Sequence, residues 1–375
     1  MRQDQETVRP LKIIHYTGLL AAQDAIGHAV LAMHGACLAR GMESVIYCDD
    51  SRIARPDVRV LAGPRAHLRE WRRFREADAH VFHFGASYDL FNLVPWVPRR
   101  GRRLVYFHGL MPLALAHESA RGWLTHAHRK FRLADRADTV LHATDYSREE
   151  ARKMGVTRPG FARLPLAVDL PVVPRPARAA DGIFRLLHVG RLVPNKGLLE
   201  VLQALEMLER EGFTAWELEV IHSPHTADAA HEARVRAFLA ESGLAGRVRF
   251  SGPPESREAL ARRYAAADLT VLGTRHETYC LPLLESLKCG TPVASFAAGA
   301  VAEVAAGHAL LAAPGDVAGL AAAIDRARRA WPRMACDGHG TMEAAELHRA
   351  CGHLLADRDE ATFVERWMRI LDTVR

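Results

Sequence analysis

The sequence predicts an α/β protein made of two doubly wound domains, each a parallel sheet covered by helices. Three observations lead there. The chain has 375 residues, more than one typical domain, so two domains of about 150–200 residues are expected. Short apolar runs alternate with longer helical patterns in both halves, as parallel strands and their crossover helices do. Between the halves lies LPLAVDLPVVPRPARAADG, residues 164–182, whose prolines break helices and suit an extended connector.

In the first half LKIIHY reads as a strand and AVLAMHGACLARG as a helix ended by Gly41. SVIYC is the next strand, and HVFHF, RLVYFHG and TVLHAT follow, each trailed by polar or helical sequence. The second half restarts with FRLLHVG as a strand and LLEVLQALEMLERE as a helix. WELEVIHS and VRFSG are strands around a helix near 230–242, SREALARRYAAA is a helix and LTVLG a strand. LLESLKCG then reads as a helix and TPVASFA as a strand, before ALLAAP and DVAGLAAAIDRARRAW. ATFVERWMRILDTV carries apolar residues at helical spacing. The expected division is 1–170, then 171–355, then a terminal helix over 356–375 that packs back on the first domain.

Composition narrows the function classes. Nearly half the residues are hydrophobic and a quarter are charged, with no low-complexity tract, as in a soluble globular protein. The start is polar and mixed in charge, no stretch is long and apolar enough to span a bilayer, and a cytoplasmic location is expected. The six cysteines show no Cys-x-x-Cys spacing, so reduced thiols are expected. His222, His225 and His231 match no helical metal pair, and no metal site is expected. Residues 1–170 hold 26 Lys and Arg against 18 Asp and Glu, and the remainder 24 against 26. A basic first half attracts phosphate, nucleic acid or anionic lipid, or is simply a solvated arginine-rich surface.

Two motifs carry chemistry. In HVGRLVPNKG, residues 188–197, a strand ends, a short loop carries Arg191 and Lys196, and a helix begins. Such a loop lies at the carboxyl end of a parallel strand, where ligands bind. The helix start and two cations suit a diphosphate. An ordinary turn with two surface cations is the alternative. The second motif, RHETYCLPLLESLKCGTP at 275–292, also runs from a strand into a helix. Glu285 stands among Leu283, Leu284 and Leu287, where a buried carboxylate needs donors such as ligand hydroxyls. The alternative is an exposed glutamate paired with Lys288.

Residues 184–305 resemble the donor-binding domain of the retaining GT-B glycosyltransferases of family 4, the glycosyl transferases group 1. That family carries G-R-L-x(3)-K-G, then E-x(7)-E before a G-x-P-V strand. Here these stand as GRLVPNKG, ETYCLPLLE and CGTPVAS. DAIGHAVLAMHGACLARGMESVIY is similar to the family's first loop and helix, and FHFGASYDLFNLVPWVPRRGRRLVYFHGLMP to its region around an active-site histidine. The likeness covers nearly the whole chain, weakly at 50–75 and 330–355.

The resemblance implies a GT-B fold, with Rossmann-like acceptor and donor domains facing across a cleft. It also implies retaining transfer of a hexosyl group from a UDP- or GDP-sugar to a saccharide, lipid-linked or small-molecule acceptor, in polysaccharide or glycoconjugate synthesis. By the same resemblance Arg191 and Lys196 bind the donor diphosphate and Glu285 takes the ribose hydroxyls. Glu277 lies beside the transferred sugar, and the backbone amides of Tyr279, Cys280 and Leu281 meet phosphate or sugar. His108 reaches the sugar from the other domain, and Gly27 lets the first loop approach the diphosphate. His108, Glu277, Arg191 and Lys196 form the implied catalytic set. Thr278 and Cys280, in the same donor-binding loop, stand where the family commonly has glycine, and their Cβ atoms reshape the sugar pocket.

No cofactor is implied, the nucleotide-sugar being a substrate and basic side chains replacing a metal. Arg69, Arg72, Arg73 and Arg75, around Trp71 and Phe74 in HLREWRRFRE, suit anionic lipid headgroups or a charged acceptor. Peripheral contact with the inner face of the membrane through residues 69–75 follows as an expectation, a solvated helix face being the alternative. No specific nucleic acid is expected. The competing function is a non-catalytic nucleotide- or nucleic-acid-binding protein on the same scaffold.

Overall fold

The computed structural model describes residues 9–21, 24–61, 64–116, 118–176, 181–223, 227–335 and 349–373. It divides into two units, one running to Ala167 and resuming at Glu360, the other spanning Val168–Asp359. The expected boundaries are 170/171 and 355/356. Residues 168 and 169 are tied into the second unit by hydrogen bonds. The Val168 amide donates to the Arg358 carbonyl at 2.9 Å, Lys288 Nζ to the Val168 carbonyl at 2.7 Å and Arg257 Nε to the Asp169 carbonyl at 2.5 Å.

The first unit is a seven-stranded sheet in the order β3-β2-β1-β4-β5-β6-β7. Its strands are β1 (Lys12–Leu20), β2 (Glu43–Ser51), β3 (Val58–Val60), β4 (Ala79–Phe84), β5 (Arg102–Phe107), β6 (Thr139–His142) and β7 (Gly160–Arg163). Every pairing is parallel. β3 and β7 are short, and no run in the sequence announced them. Parallel strands are covered on both faces, and β4 is buried at all six positions. Side chains alternate between faces; Tyr16, Phe82, Phe84 and Phe107 share one core cluster. Helix Ala25–Ala39 follows β1, and the Asp24 side chain caps it by accepting from the Gly27 amide at 2.8 Å. Helix Glu360–Asp372 belongs to this unit. Its Trp367 is fully buried and donates Nε1–H to the Met33 carbonyl at 3.2 Å.

The second unit is a six-stranded parallel sheet in the order β10-β9-β8-β11-β12-β13. Its strands are β8 (Phe184–Val189), β9 (Trp216–Ile221), β10 (Val248–Ser251), β11 (Leu269–Leu272), β12 (Val293–Phe296) and β13 (Leu310–Ala312). Trp216, Phe184, Leu205 and Phe296 lie in its core cluster. Among the described residues no helix is long and apolar enough to cross a membrane. The described cysteines are free and buried, while Cys336 and His225 lie outside the described residues. No group of His, Cys, Asp or Glu among the described residues is arranged to hold a metal ion.

Candidate active site

In the second unit the chain runs outward from β8 through β9 to β10, then returns to β11 beside β8 and continues to β13. The strand order therefore reverses between β8 and β11, and the carboxyl ends of those strands are where open α/β sheets bind ligands. Both sequence motifs are the loops at this point.

Glycines set how close the loops come. Gly197 has φ +66°, and a Cβ on it would lie 1.6 Å from the Gly273 carbonyl oxygen; one on Gly273 would lie 2.0 Å from the Gly197 oxygen. Backbone meets backbone there, which only glycine permits. The Arg275 amide donates to the Asn195 carbonyl at 2.9 Å, and the Arg275 guanidinium pairs with the buried carboxylate of Glu200.

Held this way, Lys196 Nζ donates to Glu277 Oε1 at 2.6 Å, and the Thr274 hydroxyl donates to the same oxygen at 3.0 Å. The Glu277 carbonyl accepts from the Ala300 amide at 2.8 Å. Gly299, at φ +63°, leaves room for that contact, since its Cβ would lie 2.2 Å from the Glu277 oxygen. Three loops, after β8, β11 and β12, thus converge on the Lys196–Glu277 pair. Arg191 is exposed at the loop start.

Two helices begin at these loops, Leu198–Arg210 and Leu281–Lys288, and neither has a capping side chain at its N-terminus. First-turn amides that no side chain satisfies favour an anion. Cys280 is the N-cap residue of the second helix and takes φ +67°, the left-handed region. Glycine adopts that conformation freely, and Cys280 occupies it at a strain of about 1–2 kcal/mol. Burial pushes its thiol far above the ordinary range, so it carries no nucleophilic thiolate. Tyr279 is buried, and Thr278 and Leu281 are half-buried.

Glu285 is buried, but its first donors come from the protein. Arg257 donates to Oε1 at 2.9 Å and the Tyr264 hydroxyl to Oε2 at 2.9 Å. Burial at Glu285 is thus met by protein donors and does not by itself require ligand hydroxyls. The alternative partner is corrected, because Lys288 bonds to the Val168 carbonyl. Burial, reinforced by the Glu285 charge, holds the Tyr264 phenol well above its usual range and keeps it a donor. Arg257 and Tyr264 sit 28 and 21 residues from Glu285, and no local spacing pointed to them.

The first unit repeats the topology, with its switch point between β1 and β4. Gly27 lies in the first turn of helix Ala25–Ala39, and a Cβ there would lie 1.7 Å from the Ala21 carbonyl oxygen. The glycine is therefore required by the loop's own turn, whatever the loop approaches. His108 follows β5 directly, and its Nε2 lies 3.2 Å from His83 Nδ1. His83 Nε2 lies 3.2 Å from His15 Nδ1. HVFHF places His80 and His83 inside an apolar strand, a sequence signal for buried histidines that does not reach His15. In the basic helix Pro64–Glu76, Arg73 pairs with Glu70 and Arg72 with Glu76, each at 2.9 Å. An open hollow of about 750 Å³ beside it is lined by Leu68, Arg69, Trp71, Arg72, Arg99 and Arg100 among others.

Residues 175–334 match the family model described as glycosyl transferases group 1. The chain is 30% identical over 217 residues to a GDP-mannose-dependent alpha-(1-6)-phosphatidylinositol dimannoside mannosyltransferase of Mycobacterium tuberculosis, covering 52% of this chain and 54% of that protein. It is 32% identical over 208 residues to a D-inositol 3-phosphate glycosyltransferase of Frankia alni, covering 52% and 50%. The chain thus spans about half the length of the curated relatives it matches. Among solved structures it is similar to sucrose-phosphate synthase from Thermosynechococcus elongatus, with TM-score 0.72, 18% identity, and coverage of 97% and 99%. It is also similar to Anabaena HepE solved in complex with UDP and glucose, with TM-score 0.72, 15% identity, and coverage of 97% and 100%. The two units have the GT-B fold.

Proposed function

We propose that the chain is a glycosyltransferase moving a hexosyl group from a UDP- or GDP-sugar to a saccharide, lipid-linked or small-molecule acceptor, with retention of configuration. The observation that carries this reading is the Lys196–Glu277 pair at the β8/β11 switch point, beside two uncapped helix starts. A glycosidase has no leaving phosphate to hold, whereas this cradle suits a diphosphate.

In this reading Lys196, Arg191 and the first-turn amides take the diphosphate. They stabilise the negative charge that develops on its oxygen as the anomeric C–O bond breaks. No metal is needed for that charge, and no cofactor takes part. Glu277 accepts from hydroxyls of the transferred sugar, and the half-buried Thr278 and the amides of Tyr279, Cys280 and Leu281 line the same pocket. Glu285 accepts the ribose hydroxyls on lone pairs that Arg257 and Tyr264 leave over, since a carboxylate offers about four. The sugar acceptor attacks from the face the diphosphate leaves. In the first unit His108 serves a sugar hydroxyl. The hollow beside helix Pro64–Glu76 serves a charged acceptor or the surface of an anionic membrane, a place in polysaccharide or glycoconjugate synthesis.

The names of the relatives leave both bases in play: one is GDP-mannose-dependent, and Anabaena HepE was solved with UDP. A panel of UDP- and GDP-sugars scored by thermal shift tests the reading, because a ligand bound to the folded state raises its melting temperature. At least one should stabilise the protein and be slowly hydrolysed to free sugar. Stabilisation by nucleotide with no hydrolysis of any donor would favour the non-catalytic binding protein.

A further inference from the structure

One imidazole stands inside the switch point of the second unit. His188 is the last residue but one of β8 and is only 2% exposed. Its Nδ1 lies 2.9 Å from the Val271 carbonyl oxygen on the neighbouring strand β11. A carbonyl only accepts, so Nδ1 must carry a proton, and in the neutral ring Nε2 is then a bare lone pair. No described residue bonds to Nε2, yet it is not one of the sealed, partnerless nitrogens such as those of His231. It therefore opens toward space that another molecule can reach. Gly190 shows which space, since a Cβ there would lie 3.6 Å from His188 Nε2 and 3.7 Å from Lys196 Cγ. The lone pair and the Lys196 stem thus meet the same point of the loop that runs into helix Leu198–Arg210, whose N-terminus has no capping side chain.

We propose that His188 is a further residue of the diphosphate site, taking a proton from solvent on Nε2 as the diphosphate binds and donating it to a phosphate oxygen. The inference rests on the donor site proposed above and adds to it a group that changes charge with its ligand.

Without a ligand the ring is uncharged near neutral pH. Burial lowers it to about 4, the Val271 carbonyl opposing and Lys196 and His222 adding. A phosphate oxygen set against a bare lone pair is repelled. The same phosphate offsets the Lys196 charge and gives a proton on Nε2 a charged acceptor, which makes the stronger kind of hydrogen bond. Once protonated, the ring has an acceptor for each N–H, the Val271 carbonyl on one side and phosphate on the other. Lys196 is already paired with Glu277 at 2.6 Å, so that pair brings little net charge, and the imidazolium supplies positive charge that the pair does not. Binding and protonation are linked, and each strengthens the other by the same factor.

The test uses the UDP- and GDP-sugars of the thermal-shift panel, whose phosphates carry no titratable proton near neutrality. Calorimetric titration of the full chain at pH 6, in two buffers of different ionisation enthalpy, counts the protons taken up. Wild type should take up a large fraction of one proton. Its affinity should tighten several-fold between pH 7 and pH 6, up to the tenfold that one proton allows. In His188→Gln, whose amide donates without titrating, the uptake should vanish and the affinity should stay flat over that range. A long-range ¹⁵N–¹H spectrum of histidine-labelled wild type needs no variant to fold, and it should show one Nε2 gaining a proton as the nucleotide-sugar saturates. Binding without proton uptake, or equal uptake in a folded His188→Gln, overturns the proposal and leaves glycosyl transfer standing. Uptake that is lost in His188→Gln, with no turnover of any donor, sustains the proposal and counts against transfer. No binding of any member of the panel overturns both.

Discussion

The two units place their candidate residues at the same topological point but fill it with opposite chemistry. At the β8/β11 switch point charges are brought together: Lys196 against Glu277, and Arg275 against Glu200. At the β1/β4 switch point the polar groups are buried uncharged imidazoles that hydrogen-bond to one another. Topology supplies the place for a ligand, and the side chains decide which ligand is favoured there. A site of paired ions and uncapped helix starts suits a diphosphate, and a neutral histidine suits a hydroxyl.

The widest separation between the units should appear on acidification. His15 and His80 in the first unit are lowered to about 3, chiefly by burial, and His83 shifts the same way. The second unit has His188, lowered to about 4 by burial. A lowered folded pKa means the unfolded chain binds protons first. The stability from such a group is whole above about 6.5 and is lost as pH falls toward the folded value. Each of His15, His80 and His188 should cost on the order of 2 kcal/mol by pH 5. Segment-resolved hydrogen exchange at pH 7 and pH 5 should therefore show β1 and β4 losing more protection than β8 and β11. Equal losses would mean that the first unit's histidines are not buried as neutral groups.

The next effect is steric and confined to the second unit. Gly197→Ala forces a Cβ into the Gly273 carbonyl at φ +66°, so it should cost about 3 kcal/mol or more from overpacking and left-handed strain together. Denaturant unfolding measures it, and a loss under 1 kcal/mol would show that the two loops can part cheaply. Glu285→Gln weakens the ion pair with Arg257, whose side chain is 48% exposed. After allowance for solvent screening it should cost about 1 kcal/mol of stability, beside any loss of donor affinity. A stability cost near zero would show that the bonds from Arg257 and Tyr264 contribute no net stability. The smallest change is expected for Cys280→Gly, where relief of strain at φ +67° is offset by lost burial and added chain entropy. Its unfolding free energy should move by less than about 1 kcal/mol, and a larger loss would show the thiol to be a packing element.

Much of this was legible in the sequence, and the reasons differ by residue. The strand–helix alternation and the two motifs were local signals, so the sheets and the loops of Lys196 and Glu277 could be found from short windows. That Gly197 must face Gly273, or that Gly299 must yield to Glu277, depends on loops brought together only by folding. The partners of Glu285 were missed for the same reason, and local spacing offered only Lys288, which bonds elsewhere. Gly27 has a second reason to be glycine, the Ala21 carbonyl in its own turn, which no residue spacing revealed. The histidine chain had a signal in HVFHF, but its connection depends on strand register, which a single strand does not reveal.

The second unit's switch point should bind a nucleoside diphosphate through basic side chains and helix starts. Calorimetric titration of UDP and GDP into wild type and Lys196→Ala, both in excess EDTA, tests it most directly. At least one diphosphate should bind the wild type without metal. The variant should bind about 10- to 100-fold more weakly, the worth of one hydrogen bond to a charged group. No binding in EDTA that is restored by a divalent cation, or equal affinity in the two proteins, would contradict the account.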